Sequence, residues 1–589
     1  MKARDEEDCA IGRWSIWWRG VGRDGGVFCT FGRNLEDSAM AIEKGKFPAT
    51  TTSFEIIREE GMYYVDKTHL LWELVHQSRI VFLSRPRRFG KSMLLKTIGC
   101  YLEGQKELFE GLQLFPLEEA KGTKAWVKHP VLHFDFSKRG PNVEEMRRII
   151  LREVRKLARR NGLALESDSA LDALDELFER LDEEGFPRVV VLIDEYDSPV
   201  LDALVKGDAD LLEEVRGFMR GFYKTLKAAD DSMRFLMVTG VSQVRQVGLF
   251  SGFNNIRDIS FTPDYNSICG FSEEELRGVL GEQVAHMAEV NGLSLEEQYA
   301  ALKHKYDGYR FSRKEEDVYN PFGLMNALME CEMKGYWSMT GTMSSADMLI
   351  PRYNALGVLH LDGVLQADER KLSRFNFEHS DPLGFLYQTG YLTIKGLTDD
   401  GQYLLDFPNH EVRESITEIL APRTLGIGHS SDYHGLNRNL VRALNGRDIK
   451  RLEVCIQAFL ASLPYDHEKK TEDDTHKVWE LREARYRDAL HLIFAGVRSD
   501  VRVEQIGAGG ISDVEIIGAQ MVVVIELKMK RDGMTAERAL AQAVGNGYPE
   551  KHSGGEKPVW AVGAVIGEKA QIEWMEECVW GGEMPQGGA

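Results

Sequence analysis

Arg79-Ile-Val-Phe-Leu-Ser-Arg85-Pro-Arg-Arg88-Phe89-Gly90-Lys91-Ser92 reads as a short apolar strand, a basic turn and the opening of a helix. The order strand, Gly-Lys-Ser, helix is that of a phosphate-binding loop. There, backbone N–H groups, here those of Arg88, Phe89 and Gly90, cradle phosphates, the Lys reaches the outer phosphates and the next hydroxyl holds Mg²⁺. Those last two roles fall to Lys91 and Ser92. The common pattern also has a Gly five places before the second Gly, where this chain has Arg85. A basic strand-to-helix turn without a nucleotide is the alternative reading of the segment alone.

About a hundred residues downstream, Arg188-Val-Val-Val-Leu-Ile-Asp194-Glu195 is an unbroken apolar run ending in two acids, the pattern of a parallel strand buried on both faces. Ligands of parallel α/β sheets sit beyond the carboxyl ends of their strands. Asp194 is therefore assigned to Mg²⁺ and Glu195 to the attacking water. Val131–Phe136 and Arg234–Thr239 read as further strands, and helical periodicity over 142–160 and 168–183 separates the first of them from the Asp194 strand. Alternating strands and helices predict βαβ units and an α/β fold built on a parallel sheet. Thr239 and Ser242 follow the last strand, where a polar group senses a γ-phosphate, with Arg245 or Arg257 as a source of positive charge.

Tyr64-Val-Asp-Lys-Thr68, Arg85-Pro-Arg-Arg-Phe-Gly-Lys-Ser92, Asp194-Glu-Tyr-Asp197 and Thr239-Gly-Val-Ser242 together resemble the predicted AAA-ATPase-like family, whose members often carry a C-terminal PD-(D/E)XK nuclease-like domain. That family has the same Arg-Pro-Arg-Arg-Phe-Gly-Lys-Ser loop, which makes Arg85 a family trait. The resemblance implies ATP as the bound nucleotide. It continues through Tyr306-Asp-Gly-Tyr-Arg-Phe311, Tyr319-Asn-Pro-Phe322, Tyr336-Trp337, Gln388-Thr-Gly-Tyr-Leu-Thr393 and Pro408-Asn409, covering roughly residues 50 to 570. These aromatic segments carry no chemistry of their own, and packing is their expected use.

A second constellation lies near the C-terminus, where Ile511-Ser-Asp513-Val-Glu-Ile-Ile517 and Met521-Val-Val-Val-Ile-Glu526-Leu-Lys528 read as a β-hairpin. Alternation puts Glu526 and Lys528 on one face and Ile525 and Leu527 on the other. If Gly518 to Met521 form the turn, Ile517 pairs with Val522 and Asp513 falls opposite Glu526. Carboxylates so close repel unless a cation lies between them, and Mg²⁺ suits oxygen ligands. Lys528 then stabilises charge on a phosphate or positions water. The family resemblance implies this Asp, Glu-X-Lys set in a restriction-endonuclease-like α/β domain, adds Glu504 as a further acid, and matches Gln542 and Tyr548 to family positions. Two departures stand out: Gly510-Ile511-Ser512-Asp513 replaces the usual Gly-Arg-X-Asp, and Arg487 stands where a His is frequent. Acids and a Lys on the wet face of a half-exposed hairpin are the plain alternative.

At 589 residues the chain is long enough for several domains. The expected division is an atypical extension over 1–46, a P-loop ATPase domain over 47–270, an α-rich lid over 271–350, a mostly helical connector over 351–480, a nuclease-like domain over 481–575 and a tail over 576–589. Ser272 and Glu275 form a capping box opening the lid. Trp14, Trp17 and Trp18 sit in the extension, which fits neither helix nor strand period. No run of ~18 apolar residues suggests a membrane span, and the first residues lack the apolar centre of a signal peptide. Seven scattered Cys with no C-x-x-C pair, and fifteen His with no H-E-x-x-H, fit reduced thiols, no zinc and a cytoplasmic protein. The net charge of −20 neither supports nor excludes DNA, because basic residues can be confined to a groove.

Two functions of different class follow. One is an ATP-binding and hydrolysing protein coupled to a Mg²⁺-dependent nuclease acting on nucleic acid, with DNA as the first candidate. The other is an NTP-dependent switch or scaffold whose nuclease-like domain serves as an interaction module. A metabolic kinase is weaker, since it leaves the hairpin unexplained. Assembly into a homo-oligomer is the expectation for an AAA-type ATPase.

Overall fold

The computed structural model describes residues 46–48, 51–137, 142–242, 256–337, 365–373, 382–416, 430–462, parts of 486–494 and, between 500 and 581, all but 508–509, 532, 556 and 568–570. The extension over 1–45, Arg245, and the tail beyond 581 lie outside them.

Five parallel strands form the first sheet: β1 (Ile80–Ser84), β2 (Val131–Asp135), β3 (Val189–Asp194), β4 (Met233–Gly240) and the two-residue β5 (Arg257–Asp258), in the order β2-β3-β4-β1-β5. β4 is inserted between the strand that feeds the Gly-Lys-Ser loop and the strand that ends in Asp194. All five residues of β1 and all six of β3 are buried, as continuous apolar runs require in a sheet covered on both sides. One face carries Val81, Leu83, Val190, Leu192 and Met237 against Leu95 and Ile98 of α1 (Lys91–Leu102). The other carries Phe82, Leu132, Phe134, Val191 and Val238 against α2 (Val143–Arg160), α3 (Ala170–Glu183), α4 (Ser198–Lys206) and α5 (Ala209–Ala228). α2 shows why: Val143, Met146, Ile149, Ile150, Val154, Leu157 and Ala158 recur at helical spacing on its buried stripe, and Asn142 caps it by accepting from the Glu144 N–H at 2.8 Å.

The lid is helical, with α6 (Glu273–Val279), α7 (Gly281–Asn291), α8 (Leu295–Tyr306) and α9 (Pro321–Glu330). The capping box of Ser272 and Glu275 is present, and Ser294 and Glu297 form a second one ahead of α8. Helices make up most of the described connector, including the short ones Glu369–Ser373 and Pro382–Thr389. Besides α10 (Ser430–Asn445) and α11 (Ile449–Ser462) it holds an antiparallel sheet of β6 (Leu365–Ala367), β7 (Thr393–Leu397) and β8 (Tyr403–Asp406) in the order β6-β8-β7.

The C-terminal sheet is mixed. β9 (Asp500–Gly507), β10 (Gly510–Ile517) and β11 (Val522–Met529) run antiparallel. α12 (Ala536–Gly545) then carries the chain to β12 (Val559–Ile566), parallel to β11, and β13 (Ile572–Trp580) closes the edge. Val514, Ile516, Val523, Ile525 and Leu527 join a cluster that includes Leu440, Ala443, Leu452 and Ile456 of the connector. That same apolar cluster extends back to Phe89 and Leu95 beside the Gly-Lys-Ser turn. The opposite face packs Val522 and Val524 on Ala543 and Tyr548.

Candidate functional site

The carboxyl ends of β1, β2, β3 and β4 align, with Asp135 beside Asp194 and Ser84 beside Gly240. The turn 85–90 rises from β1 into α1, and Arg88 and Gly90 adopt left-handed backbone with φ of 66° and 92°. A positive φ at a non-glycine costs on the order of 1 kcal/mol or more and persists where the surroundings impose it. Arg88 is imposed upon in that way. Its guanidinium donates to the carbonyls of Tyr336 (2.8 Å) and Trp337 (2.7 Å) and lies 4.4 Å from the Phe322 ring centroid. Phe89 turns its ring into the core against Tyr309 and Phe311. Arg88 and Phe89 thus offer a phosphate their backbone N–H groups rather than their side chains.

Arg85 is 1% exposed. It donates to the carbonyls of Ser84 (2.9 Å), Ser260 (2.8 Å) and Tyr265 (2.9 Å), and stacks 4.2 Å from the centre of the Phe311 ring. Burial pulls its pKa below the ordinary arginine value. Where the usual pattern has a small residue, this chain has a buried staple that fixes the root of the loop.

Lys91 opens α1 and points back into the turn. Its ammonium donates to the carbonyls of Arg85 (2.9 Å) and Pro86 (3.1 Å) and stands 3.6 Å from a Glu195 carboxylate oxygen. Ser92 follows it, half-buried. Asp194 accepts from the Thr239 hydroxyl at 2.8 Å and from the Glu195 N–H at 3.1 Å. The hydroxyl of Thr239 is thereby committed to orienting Asp194. Glu195 takes a φ of 50° and keeps 20% of its side chain exposed. Burial raises its pKa, Lys91 opposes the rise, and Asp197 and Asp194 add to it.

Asp197 emerges as the organiser of the neighbouring loop, a role that sequence reading missed although the acid was in plain view. It is fully buried and accepts from the backbone N–H (2.7 Å) and hydroxyl (2.6 Å) of Ser242. Ser242 is therefore turned inward toward Asp197. The expectation that Arg257 brings charge to the γ-phosphate is corrected. Arg257 pairs with Val81 and donates to Ser78 Oγ at 2.9 Å, beside the amino end of β1, away from the carboxyl edge.

At the C-terminal hairpin Ile517 pairs with Val522 and Val514 with Ile525, so Asp513 falls opposite Glu526 as the turn spacing predicts. Both acids are buried, at 7% and 1% exposure. The Lys528 ammonium lies between them, 3.0 Å from Asp513 Oδ2 and 2.7 Å from Glu526 Oε1. Burial pulls the Lys528 pKa down, but the two carboxylates outweigh it and hold the group above its ordinary value. Asp513 Oδ2 also accepts from the Leu527 N–H at 2.9 Å, and Arg487 approaches Oδ1 to 3.6 Å. The register of β9 places position 504 beside 513, between the pairs Val503–Val514 and Gln505–Ser512. Among the described side chains, no group of three or more His, Cys, Asp or Glu gathers as a metal cage. Gln542 is exposed on α12, while Tyr548 is buried and accepts from Asn546 Nδ2 at 2.7 Å. A third acid of the same face, Glu515, is fully buried between Lys551 (2.5 Å) and His552 (3.0 Å). Its even spacing from Asp513 was the available signal.

The two oxygen sets fit Mg²⁺ in chemistry. Ser92 follows Lys91 with a hydroxyl and Asp194 ends β3 with a carboxylate, and Asp513 and Glu526 present two carboxylates bridged by a cationic head.

Residues 48–250 match the family described as "Predicted AAA-ATPase". The chain is 31% identical over 532 residues to the "Uncharacterized protein in vnfD 5'region" of Azotobacter chroococcum mcd 1, an alignment spanning 89% of this chain and 96% of that protein. No solved structure matches. Among the described residues no helix is long and apolar enough to cross a membrane.

Proposed function

Because this chain belongs to the AAA-ATPase-like family, we propose that it hydrolyses ATP at the turn 85–92, with Lys91 as the phosphate-binding cation and Glu195 as the base. The observation that carries the reading is the placement of Lys91, aimed into the turn at two loop carbonyls and facing Glu195 at 3.6 Å. A phosphate that enters the turn takes over the ammonium from those carbonyls and accepts from the N–H groups of 88–90. Ser92 and Asp194 would hold Mg²⁺, which neutralises charge between the outer phosphates when bound. Glu195, its pKa lifted by burial, accepts the proton of a water whose oxygen attacks the γ-phosphorus as the bond to the β-phosphate oxygen breaks. Thr239 keeps the Asp194 carboxylate in one orientation.

The same proposal extends to the C-terminal sheet, which we read as a Mg²⁺-dependent nuclease domain acting on DNA. The supporting observation is that Asp513, Glu526 and Lys528 converge on one face. Asp513 and Glu526 would take the metal, and Lys528, released from them, would stabilise charge on the scissile phosphate. Cleavage of plasmid and single-stranded DNA with Mg²⁺ or Mn²⁺, with and without ATP, tests both halves. Loss in Glu526→Gln supports the nuclease, and added dependence on Lys91 supports coupling. ATP turnover without cleavage by the intact chain favours the switch-and-scaffold alternative.

A further inference from the structure

Behind the turn 85–92 lies a buried carboxylate outside the set that would hold nucleotide, metal or water. Glu411, in the connector segment that follows β8, is 2% exposed. Burying a carboxylate is costly unless partners compensate it. Its Oε1 accepts from the Trp337 N–H at 2.6 Å. That N–H belongs to the same peptide unit as the Tyr336 carbonyl, which accepts from the Arg88 guanidinium at 2.8 Å. In a planar trans peptide the N–H and the C=O point in opposite directions. Glu411 therefore holds the 336–337 plane by one edge and Arg88 by the other, and a rotation of that plane breaks both bonds.

The second support of Arg88 lies close to the same carboxylate. The guanidinium rests 4.4 Å from the centre of the Phe322 ring. A Cβ on the next residue, Gly323, would stand 3.4 Å from Glu411 Oε2. Other ties hold this part of the lid without fixing the 336–337 plane: Tyr336 Oη donates to Glu330 at 2.8 Å, and Tyr306 Oη donates to the Lys334 carbonyl at 2.7 Å. Burial lifts the Glu411 pKa to about 7, against the pull of the Trp337 N–H, Lys305 and Arg88, with Glu414 adding to the rise. Above that pH Glu411 is an anion, and hydrogen bonds to an ionised acceptor are the stronger kind.

The turn needs such a hold. Arg88 has a φ of 66°, a backbone conformation that a non-glycine residue keeps only where its surroundings impose it. The Tyr336 and Trp337 carbonyls, at 2.8 and 2.7 Å, are part of what imposes it.

We propose that Glu411 is a positioning residue of the phosphate turn: through the Tyr336–Trp337 peptide it sets Arg88, and through Arg88 the backbone N–H groups of 88–90 that meet the phosphates. This rests on the reading of residues 85–92 as an ATP site. It gives the connector, through one peptide plane, a direct part in nucleotide binding.

Calorimetry of ATP with Mg²⁺ on the full chain at pH 8, where Glu411 is ionised, tests this. Glu411→Ala should weaken ATP about tenfold, the scale of one hydrogen bond to a charged group. Glu411→Gln keeps an acceptor oxygen at the same reach and should bind within about twofold of the unsubstituted chain. Glu411→Asp keeps the charge but draws the acceptor back by one methylene, and should bind as poorly as Glu411→Ala. Charge alone would give the opposite order. Arg88→Ala should weaken ATP as well, and adding Glu411→Ala to it should change nothing further, as expected of residues that act in series. Thermal unfolding without ATP checks that each variant is folded at the assay temperature; if Glu411→Ala is not, the Gln and Asp variants decide. ATP bound equally well by the unsubstituted chain and Glu411→Asp overturns the inference, as does a Glu411→Ala loss that persists in full beside Arg88→Ala. No ATP binding by the unsubstituted chain overturns the ATP reading itself, and this inference falls with it.

Discussion

Replacing Arg85 by Gly would bring the turn into line with the common phosphate-loop pattern, and the structure predicts that it cripples the protein. The guanidinium supplies three hydrogen bonds to carbonyls and covers the Phe311 ring. Truncation leaves those carbonyls short of donors at about 1–3 kcal/mol for each that water fails to reach, and it removes a buried cation–ring contact of about 1–2 kcal/mol. Against this stands relief of a desolvated charge, the burial that depresses the Arg85 pKa. Removing one side of a buried polar arrangement commonly costs about 3–5 kcal/mol net, and about 3 kcal/mol is a reasonable floor here. For a domain of this size that corresponds to a fall in Tm of about 6–12 °C. Arg85→Lys keeps the charge but reaches fewer of the carbonyls, so it should fall in between. Thermal unfolding followed by near-UV circular dichroism, with and without ATP, measures both. An Arg85→Gly chain that melts with the unsubstituted protein and binds ATP normally would refute the staple and restore the view that position 85 is a tolerated departure.

Glu195→Gln should lower ATP turnover by about 10²–10⁴-fold while leaving ATP binding in place. Because burial raises the Glu195 pKa, the rate of the unsubstituted protein should fall on the acid side as the base protonates, at a higher pH than an ordinary carboxylate allows; a flat profile down to the usual Glu range argues against the role. Burial lifts Asp307 from 3.8 to about 6, so the folded chain binds this proton more tightly than the unfolded one. The stabilisation is full below pH 3.8 and lost as pH rises through about 6, a span worth about 3 kcal/mol. Asp307→Asn should accordingly raise the Tm at pH 8 relative to the unsubstituted chain and lose that advantage at pH 4, whereas equal shifts at both pH values would count against it. Gly563 pairs with Glu526, and a Cβ there would stand 2.2 Å from the Ala536 carbonyl oxygen and 2.3 Å from the Leu540 nitrogen of α12. Gly563→Ala should force α12 off the sheet at a cost of about 1–3 kcal/mol, visible as a lower Tm; an unchanged melt would mean that the helix yields freely.

What was legible in the sequence, and what was not, divides by range. β1, β3 and β4 were readable because their apolar runs are long enough to bury both faces, and α2 and α3 because their stripes recur over several turns. The hairpin register was readable because a four-residue turn leaves one pairing of 517 with 522. β5 has two residues and β6 three, too few for any period to show. Arg257 was misplaced because proximity in sequence to Thr239 says nothing of β5 running back along the edge of β1. The role of Arg85 was illegible for the same reason, since its carbonyl partners Ser260 and Tyr265 lie 175 and 180 positions away. Lys528 was expected beside a metal between two acids. Its own ammonium bridges them, an outcome set by rotamers that alternation alone leaves open.

The aromatic segments that named no chemistry now have one physical task in common. Phe89 packs on Tyr309 and Phe311, Arg85 on Phe311, and Arg88 on Phe322 and the carbonyls of Tyr336 and Trp337. Gly390 lies so close to Pro86 that a Cβ on it would stand 2.6 Å from the Pro86 Cβ. Lid residues thus hold Arg88 and Phe89, Arg85 is tied both to Phe311 and to the carbonyls of Ser84, Ser260 and Tyr265, and Lys91 donates to the carbonyls of Arg85 and Pro86. A phosphate that claims Lys91 would release the carbonyls of Arg85 and Pro86 and leave the other contacts in place. Under the proposed coupling, the apolar cluster that runs from beside Phe89 to Ile525 and Leu527 under the Asp513 and Glu526 row is the path through which a nucleotide would bias the second site, provided its contacts differ between the two states.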